Sequence, residues 1–128
     1  MTRLNFDGIC FEDSPVGVRL TDYASLFPSG VNIAATWDKG LMKKRGEAMG
    51  EEFRGKGVNV AYVVCACSQL HQLMHRSYRL GPMMNLARNA AAGRNWEGGG
   101  ADPFLSGVHA SMNIEGIQSK GVIACAKH

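Results

Sequence analysis

Short apolar segments alternate with helix-like segments along this chain, and this alternation limits its possible folds more than any other feature. Residues 122–126 (Val-Ile-Ala-Cys-Ala) are nearly all apolar, as expected of a strand covered on both faces. Residues 9–13 and 58–61 are further strand candidates, and residues 26–33 are a fourth extended candidate. Helix-like segments lie between them, which predicts an α/β fold with parallel strands.

Capping residues and apolar spacing predict two helices. The first begins near Thr36, a suitable N-cap, and ends near Gly55 and Gly57. The second covers residues 102–120, with Asp102 as its N-cap, a proline in its first turn and a glycine after its end. Both helices have the length needed to cover a sheet between two strands.

Polar residues follow two of the predicted strands. Asp13 ends the first strand candidate, and Lys127 and His128 follow the last one. In a (β/α) barrel the carboxyl ends of the strands carry the active site. The pattern also occurs in domains without a site there, so it indicates a candidate position only.

Composition excludes several classes of protein. The chain has 128 residues, which is enough for one domain, and 45% of them are hydrophobic, as in a globular core. The net charge of +3 is not gathered into a basic stripe, so we expect no nucleic-acid partner. The sequence has no apolar run long enough for a membrane span. The four cysteines predict free thiols rather than a disulfide framework.

Eight segments together resemble the N-terminal barrel of family 3 glycoside hydrolases of the fungal β-glucosidase type. They occur in the family's order and cover residues 8–61 and 80–128. The segments are 11–19 (Phe-Glu-Asp-Ser-Pro-Val-Gly-Val-Arg), 27–38, 45–53, 56–61, 80–85, 93–98 (Gly-Arg-Asn-Trp-Glu-Gly), 102–105 and 121–128. The resemblance implies an α/β fold that is about the first half of a (β/α)8 TIM-type barrel, with residues 1–128 as one fragment of that domain.

The resemblance also implies a role for several side chains in binding a terminal glucose. Asp13 matches an aspartate that accepts hydrogen bonds from sugar hydroxyls, which suits an acceptor-only carboxylate. Arg94 matches a sugar-binding arginine, Lys127 and His128 match a pair of donors, and Arg19 is expected nearby. Charged donors at fixed positions can hold a neutral polyol in one orientation.

Each assignment has a simpler alternative that the sequence leaves open. Asp13 could cap a turn, and Arg94 could pair with Glu97, which we interpret as structural. The two last residues could form a polar chain end. Trp96 fits stacking on sugar as well as a place in the core.

The residues that break the glycosidic bond are expected outside this chain. Retaining glycosidases need two carboxyl groups about 5–5.5 Å apart. In this family the nucleophile belongs to a Ser-Asp-Trp motif downstream of the Lys-His pair, and no Ser-Asp pair occurs here. We therefore expect no catalytic residue in the chain and no cofactor or metal. We also expect the isolated chain to be poorly folded, aggregation-prone and inactive on aryl β-glucosides. The substrate implied for the whole protein is a β-glucoside or cello-oligosaccharide.

The whole protein is also expected to be secreted, although the first residues lack the apolar region of a signal peptide. An exported protein would therefore need a segment upstream of Met1.

Residues 62–79 are unlike the family and interrupt its motifs. Codons 61–63 can contain GTATGT, which resembles the start of a fungal intron, and codons 78–79 can contain a pyrimidine followed by AG. Removing the intervening bases keeps the reading frame and restores Val-Asn-Val-Ala-Leu-Gly-Pro. We interpret the segment as a translated intron.

Two other functions remain open on the sequence. A non-catalytic carbohydrate-binding remnant would use the same polar residues without chemistry. A small metal-binding protein would use residues 65–75, where Cys-Ala-Cys and His-Gln-Leu-Met-His offer four ligands, although the spacing is not a standard zinc pattern.

Overall fold

The computed structural model describes residues 3, 8–63, 79–80 and 82–127. Its regular elements are β1 (Phe11–Glu12), α1 (Gly30–Ala34), α2 (Lys39–Gly55), β2 (Val60–Val63), β3 (Arg79–Leu80), α3 (Pro103–Ser119) and β4 (Ile123–Ala124). Two short 3-10 helices, Ala90–Ala92 and Asn95–Glu97, precede α3.

The described strands form a small sheet with a parallel centre. β2 lies between β1 and β4 and pairs with both in parallel, and β3 adds to β2 in the antiparallel direction. The α/β prediction with parallel strands is therefore confirmed. The register pairs Phe11 with Val60 and Val60 with Ile123, so these three residues share one face of the sheet.

The two long helices cover the other face of the sheet. Met49 and Phe53 of α2 pack with Ile117 of α3 and with Val58 and Val122, which precede β2 and β4. The two helices approach closely because glycines line their contact. A Cβ atom on Gly116 would overlap the Lys43 carbonyl oxygen, and one on Gly46 would lie 2.6 Å from the Asn113 carbonyl oxygen. (Gly46 and Gly116 face each other here.)

The predicted ends of helix α3 are confirmed. The Asp102 carboxylate accepts a 2.6 Å hydrogen bond from the Leu105 amide, and Pro103 is the first helical residue. Gly121 follows the helix with φ of +80°, a conformation that favours glycine.

The first long helix begins two residues later than the sequence predicts. The N-cap of α2 is Asp38, whose side chain accepts a 3.0 Å hydrogen bond from the Leu41 amide. Thr36 instead donates its hydroxyl to the Ile33 carbonyl oxygen at 2.7 Å. An aspartate two residues later therefore replaces the threonine as the cap.

The extended segment predicted at 26–33 is also wrong in its second half. Gly30–Ala34 form helix α1, and Gly30 packs against the backbone of Glu97 so closely that a Cβ there would overlap the Glu97 carbonyl oxygen. This contact joins residues that are far apart in the chain, so no local pattern could reveal it. The described part of the chain consequently has three parallel strands rather than about four.

The prediction that 122–126 is covered on both faces is wrong for one face. Ile123 is 59% exposed, whereas Val122 is buried against the helices. An apolar run identifies a strand, but what covers each face depends on the rest of the fold.

Candidate functional site

The polar residues that follow β1 and β4 lie at one edge of the sheet. Because the two strands are parallel to β2, their carboxyl ends point the same way, and Asp13 and Lys127 come just after those ends. Two backbone hydrogen bonds fix the position of Lys127: its amide donates to the Pro82 carbonyl at 3.0 Å, and its carbonyl accepts from the Met84 amide at 2.7 Å.

The Lys127 ammonium lies between two carboxylates. Its Nζ atom is 3.4 Å from Asp13 Oδ1 and 3.4 Å from Glu97 Oε2. The Lys127 and Glu97 side chains are almost completely buried, and Asp13 keeps 12% of its side-chain surface exposed. Because little water reaches these side chains, the effective dielectric constant is low and the attraction between the charges is stronger than at the surface.

Arg94 joins this cluster through Glu97. The Arg94 Nε atom donates to Glu97 Oε1 at 2.5 Å, and Arg94 Nη2 donates to Glu97 Oε2 at 2.6 Å. The pair is therefore bidentate. The simpler alternative for Arg94, a pair with Glu97, is therefore what the structure shows. Glu97 also contacts Lys127, which in turn contacts Asp13. The Arg94–Glu97 pair therefore belongs to the same cluster as Asp13.

Two predicted residues lie at the rim. Arg19 places a guanidinium nitrogen 3.7 Å from Asp13 Oδ2 and keeps 60% of its side chain exposed. Trp96 is in the 3-10 helix Asn95–Glu97 and is 42% exposed, so its ring is not part of the core. His128 lies outside the described residues.

Burial and charge act against each other on the acidic groups. Burial raises the pKa of Asp13, although the Lys127 ammonium and the Arg19 guanidinium oppose the shift. Burial also raises the pKa of Glu12. For Glu97 burial acts in the same direction, but the hydrogen bonds from Arg94 and the Lys127 charge outweigh it and lower the pKa. Glu97 is thus held as a carboxylate.

Glu97 is the residue whose importance the sequence interpretation missed. The interpretation took it as structural, yet it contacts both candidate sugar-binding cations. The sequence offered the pair with Arg94, which is three residues away. The contact with Lys127 joins distant parts of the chain and has no local signal.

The described residues do not include a metal site. Over residues 8–63, 79–80 and 82–127, no group of three or more His, Cys, Asp or Glu side chains could hold a metal ion. The alternative metal site at 65–75 lies outside those residues. Cys125 is a free thiol. Each helix of the described part is too short or too polar to span a bilayer.

Comparison with known proteins gives long matches to β-glucosidases. The chain is 47% identical over 127 residues to a probable β-glucosidase G of Aspergillus flavus and 48% identical to β-glucosidase 1 of Aspergillus aculeatus. Each match covers 98% of this chain and 13% of the relative. No protein-family profile matches the chain.

Solved structures agree with the sequence matches. A family 3 β-glucosidase of Neurospora crassa superposes with a TM-score of 0.82 at 43% identity, covering 100% of this chain and 13% of that one. β-Glucosidase 3B of Thermotoga neapolitana, solved with glucose, has a TM-score of 0.81 at 35% identity, covering 100% of this chain and 17% of that one.

The fold and the matches establish the chain as homologous to glycoside hydrolases of family 3. Within that family its relatives are β-glucosidases, as the eight motifs predicted. The chain spans about an eighth of the length of the curated relatives that it matches (13%).

Proposed function

We propose that this chain is part of the (β/α)8 barrel of a β-glucosidase and supplies one side of the pocket for the terminal nonreducing glucose. The whole protein would release β-D-glucosyl residues from β-glucosides or cello-oligosaccharides with retention of configuration and without a cofactor. We also propose that the whole protein is secreted, as the family resemblance implies.

The observation that carries this proposal is the meeting of Asp13, Lys127 and Arg94 at one edge of the sheet. These residues are distant in the sequence, and the family resemblance assigns each of them to the same glucose. A separation onto opposite edges would have removed the basis for a common pocket. Instead Lys127 contacts Asp13 directly, and Glu97 links Lys127 to Arg94.

The charges at this edge suit a neutral polyol. The Asp13 carboxylate can accept hydrogen bonds from two adjacent hydroxyls, and Lys127 and Arg94 can donate to others. Trp96 offers an exposed ring on which a sugar face can stack. His128 enters the proposal through the resemblance alone, and Arg19 through its contact with Asp13.

The chain's own residues bind and orient but do not break the bond. The resemblance assigns the nucleophile and the acid/base to positions that this sequence does not include. The purified chain should therefore bind glucose weakly and should release no product from an aryl β-glucoside. Product formation above that of a mock preparation would contradict the second statement.

Glucose titration of the chain, followed by ligand-observed NMR at micromolar protein, tests the pocket. We expect binding by the wild-type chain and a loss of at least about tenfold in affinity for Asp13→Asn, because the amide is a weaker acceptor. Asp22→Asn changes an exposed aspartate whose backbone contacts Lys56, just after the end of α2, and serves as the control. Wild-type chain that shows no glucose binding would overturn the proposed pocket.

We also propose that residues 62–79 are an insertion into this barrel segment that arose from an unspliced intron. Its two ends lie side by side, because Tyr62 pairs with Leu80 and Val63 with Arg79. A segment whose ends are adjacent can be added or removed with little change to the flanking strands. Genomic DNA without splice signals at codons 61–63 and 78–79 would rule this origin out.

A further inference from the structure

Glu97 occupies the centre of the charged cluster without being assigned to the sugar. We propose that Glu97 is a positioning residue, whose carboxylate holds the Arg94 guanidinium and the Lys127 ammonium in the orientation from which they donate to the bound glucose. The inference rests on the proposed function and adds to it a group that does not itself touch the ligand.

Both carboxylate oxygens of Glu97 are engaged. Oε1 accepts from Arg94 Nε at 2.5 Å, and Oε2 accepts from the second Arg94 nitrogen at 2.6 Å and lies 3.4 Å from Lys127 Nζ. Only 4% of the Glu97 side chain is exposed. A carboxylate that is buried and already bonded on both oxygens has little capacity left for a ligand, so it acts through its two cations.

The backbone of Glu97 is held as firmly as its side chain. The residue closes the 3-10 helix Asn95–Glu97, and its amide donates to the Arg94 carbonyl at 3.2 Å. Gly30 of α1 packs against the Glu97 carbonyl at a distance that leaves no room for a Cβ atom. A fixed backbone gives the carboxylate a defined position, which a positioning residue requires.

The charge balance explains why the cluster needs a second acid. Lys127 is buried, and without Glu97 its ammonium would have Asp13 as its acidic neighbour among the contacts described here. Lys127 would then pair with Asp13 alone, and this pair would occupy the carboxylate that is proposed to accept hydrogen bonds from the sugar hydroxyls. Arg94, whose side chain is one third exposed, would lose its bidentate partner and explore other rotamers.

Two substitutions and one control test this role in the 128-residue chain. Glu97→Gln keeps the shape but removes the charge, and Glu97→Asp keeps the charge but withdraws it by one methylene. Glu51→Gln removes a carboxylate that is 76% exposed and pairs with Lys120 at 3.9 Å. Amide NMR spectra establish folding, the Arg94 Nε–H signal reports its hydrogen bond, and ligand-observed NMR gives glucose affinity.

We expect Glu97→Gln to shift the Arg94 Nε–H signal and to weaken glucose binding by at least about tenfold, with a smaller loss for Glu97→Asp. Glu51→Gln should bind like wild type. A folded Glu97 variant with wild-type affinity overturns the inference, and Glu97→Asp decides the matter if Glu97→Gln does not fold. Absence of glucose binding by the wild-type chain would instead overturn the proposed function itself.

Discussion

Two lysines of this chain make ion pairs of the same length in different surroundings. Lys127 Nζ lies 3.4 Å from Asp13 and from Glu97, and its side chain is 1% exposed. Lys43 Nζ lies 3.4 Å from Glu115, and about half of each side chain is exposed. Distance alone would rank these pairs as equal, but the cost of an unpaired buried charge makes them different.

Substitution of each lysine by methionine should separate the two cases. Lys127→Met removes the buried cation that Asp13 and Glu97 share, while Arg19 and Arg94 remain beside them, and should lower the free energy of unfolding by about 1–3 kcal/mol. Lys43→Met removes a solvated pair and should cost less than about 1 kcal/mol. Urea unfolding at pH 7 measures both, and equal losses would contradict the proposed effect of burial.

A buried histidine links stability to pH. His109 is 1% exposed, and neither ring nitrogen has a hydrogen-bond partner. It lines a partly open cavity of about 30 Å³ together with Arg45, and Asp13, Glu97 and Lys127 line the same cavity. Burial, with the Arg45 charge in addition, lowers the pKa of His109 to about 4. Between pH 4 and pH 6.5 this histidine is therefore protonated in the unfolded chain, where its pKa is near 6.5, and neutral in the folded chain.

The stabilising contribution of neutral His109 is present above pH 6.5 and is lost as the pH falls towards 4. Between pH 7 and pH 5 it should decrease by about 2 kcal/mol. His109→Leu removes this loss, whereas the raised pKa values of Glu12 and Asp13, which act in the opposite direction, remain in both proteins. Urea unfolding at the two pH values gives the comparison, and parallel losses in both proteins would contradict the prediction.

At the scale of the elements, glycines set the distance between α2 and α3. A Cβ atom at position 116 would overlap the Lys43 carbonyl oxygen and lie 2.7 Å from the Glu47 amide nitrogen. These are backbone atoms, so relief requires the helices to separate. Gly107, on the same helix, has no atom within 4 Å of the place where its Cβ would be.

The two glycines make a matched pair for substitution by alanine. Gly116→Ala should lower the free energy of unfolding by about 1–3 kcal/mol through overpacking. Gly107→Ala should raise it by about 0.5–1 kcal/mol, because alanine loses less backbone entropy in a helix. Thermal unfolding should show opposite shifts, and a stabilising Gly116→Ala would show that the helices are not held as closely as described.

The elements whose ends depend on neighbouring residues could be predicted from the sequence, and those that depend on distant contacts could not. Helix α3 was predicted with its cap because Asp102, Pro103 and Gly121 act on neighbouring residues. Helix α1 was missed because its start depends on the contact of Gly30 with Glu97, from a distant part of the chain. A pattern read along the sequence carries no information on such contacts.

At the scale of the whole molecule, one face of the sheet has little cover. Ile123 is 59% exposed, Ile9 is 53% exposed and Phe11 is 39% exposed, while the opposite face carries both long helices. Phe11 and Ile123 share this face with Val60, which lies between them in register and is itself only 7% exposed. Apolar groups exposed together on one face of a sheet favour association with other chains.

The isolated chain should therefore self-associate with increasing concentration. Ile123→Lys places a charge on the open face and should shift sedimentation velocity profiles towards the monomer. Leu20→Lys alters a residue that is 92% exposed but lies in the loop after β1, outside this sheet, and should leave the profiles unchanged. Equal effects of the two substitutions would show that general surface charge, and not this face, controls association.

The sequence alone determined the α/β order of elements, the ends of α3 and the relationship to family 3 β-glucosidases, because capping, periodicity and motif order are all local to the chain. Only the tertiary structure decided that Glu97 joins Arg94 to Lys127 and Asp13, and that one face of β4 stays open. Both depend on which distant residues are brought together and on how much water is removed around them. Charge and burial in three dimensions therefore set the properties of the candidate pocket.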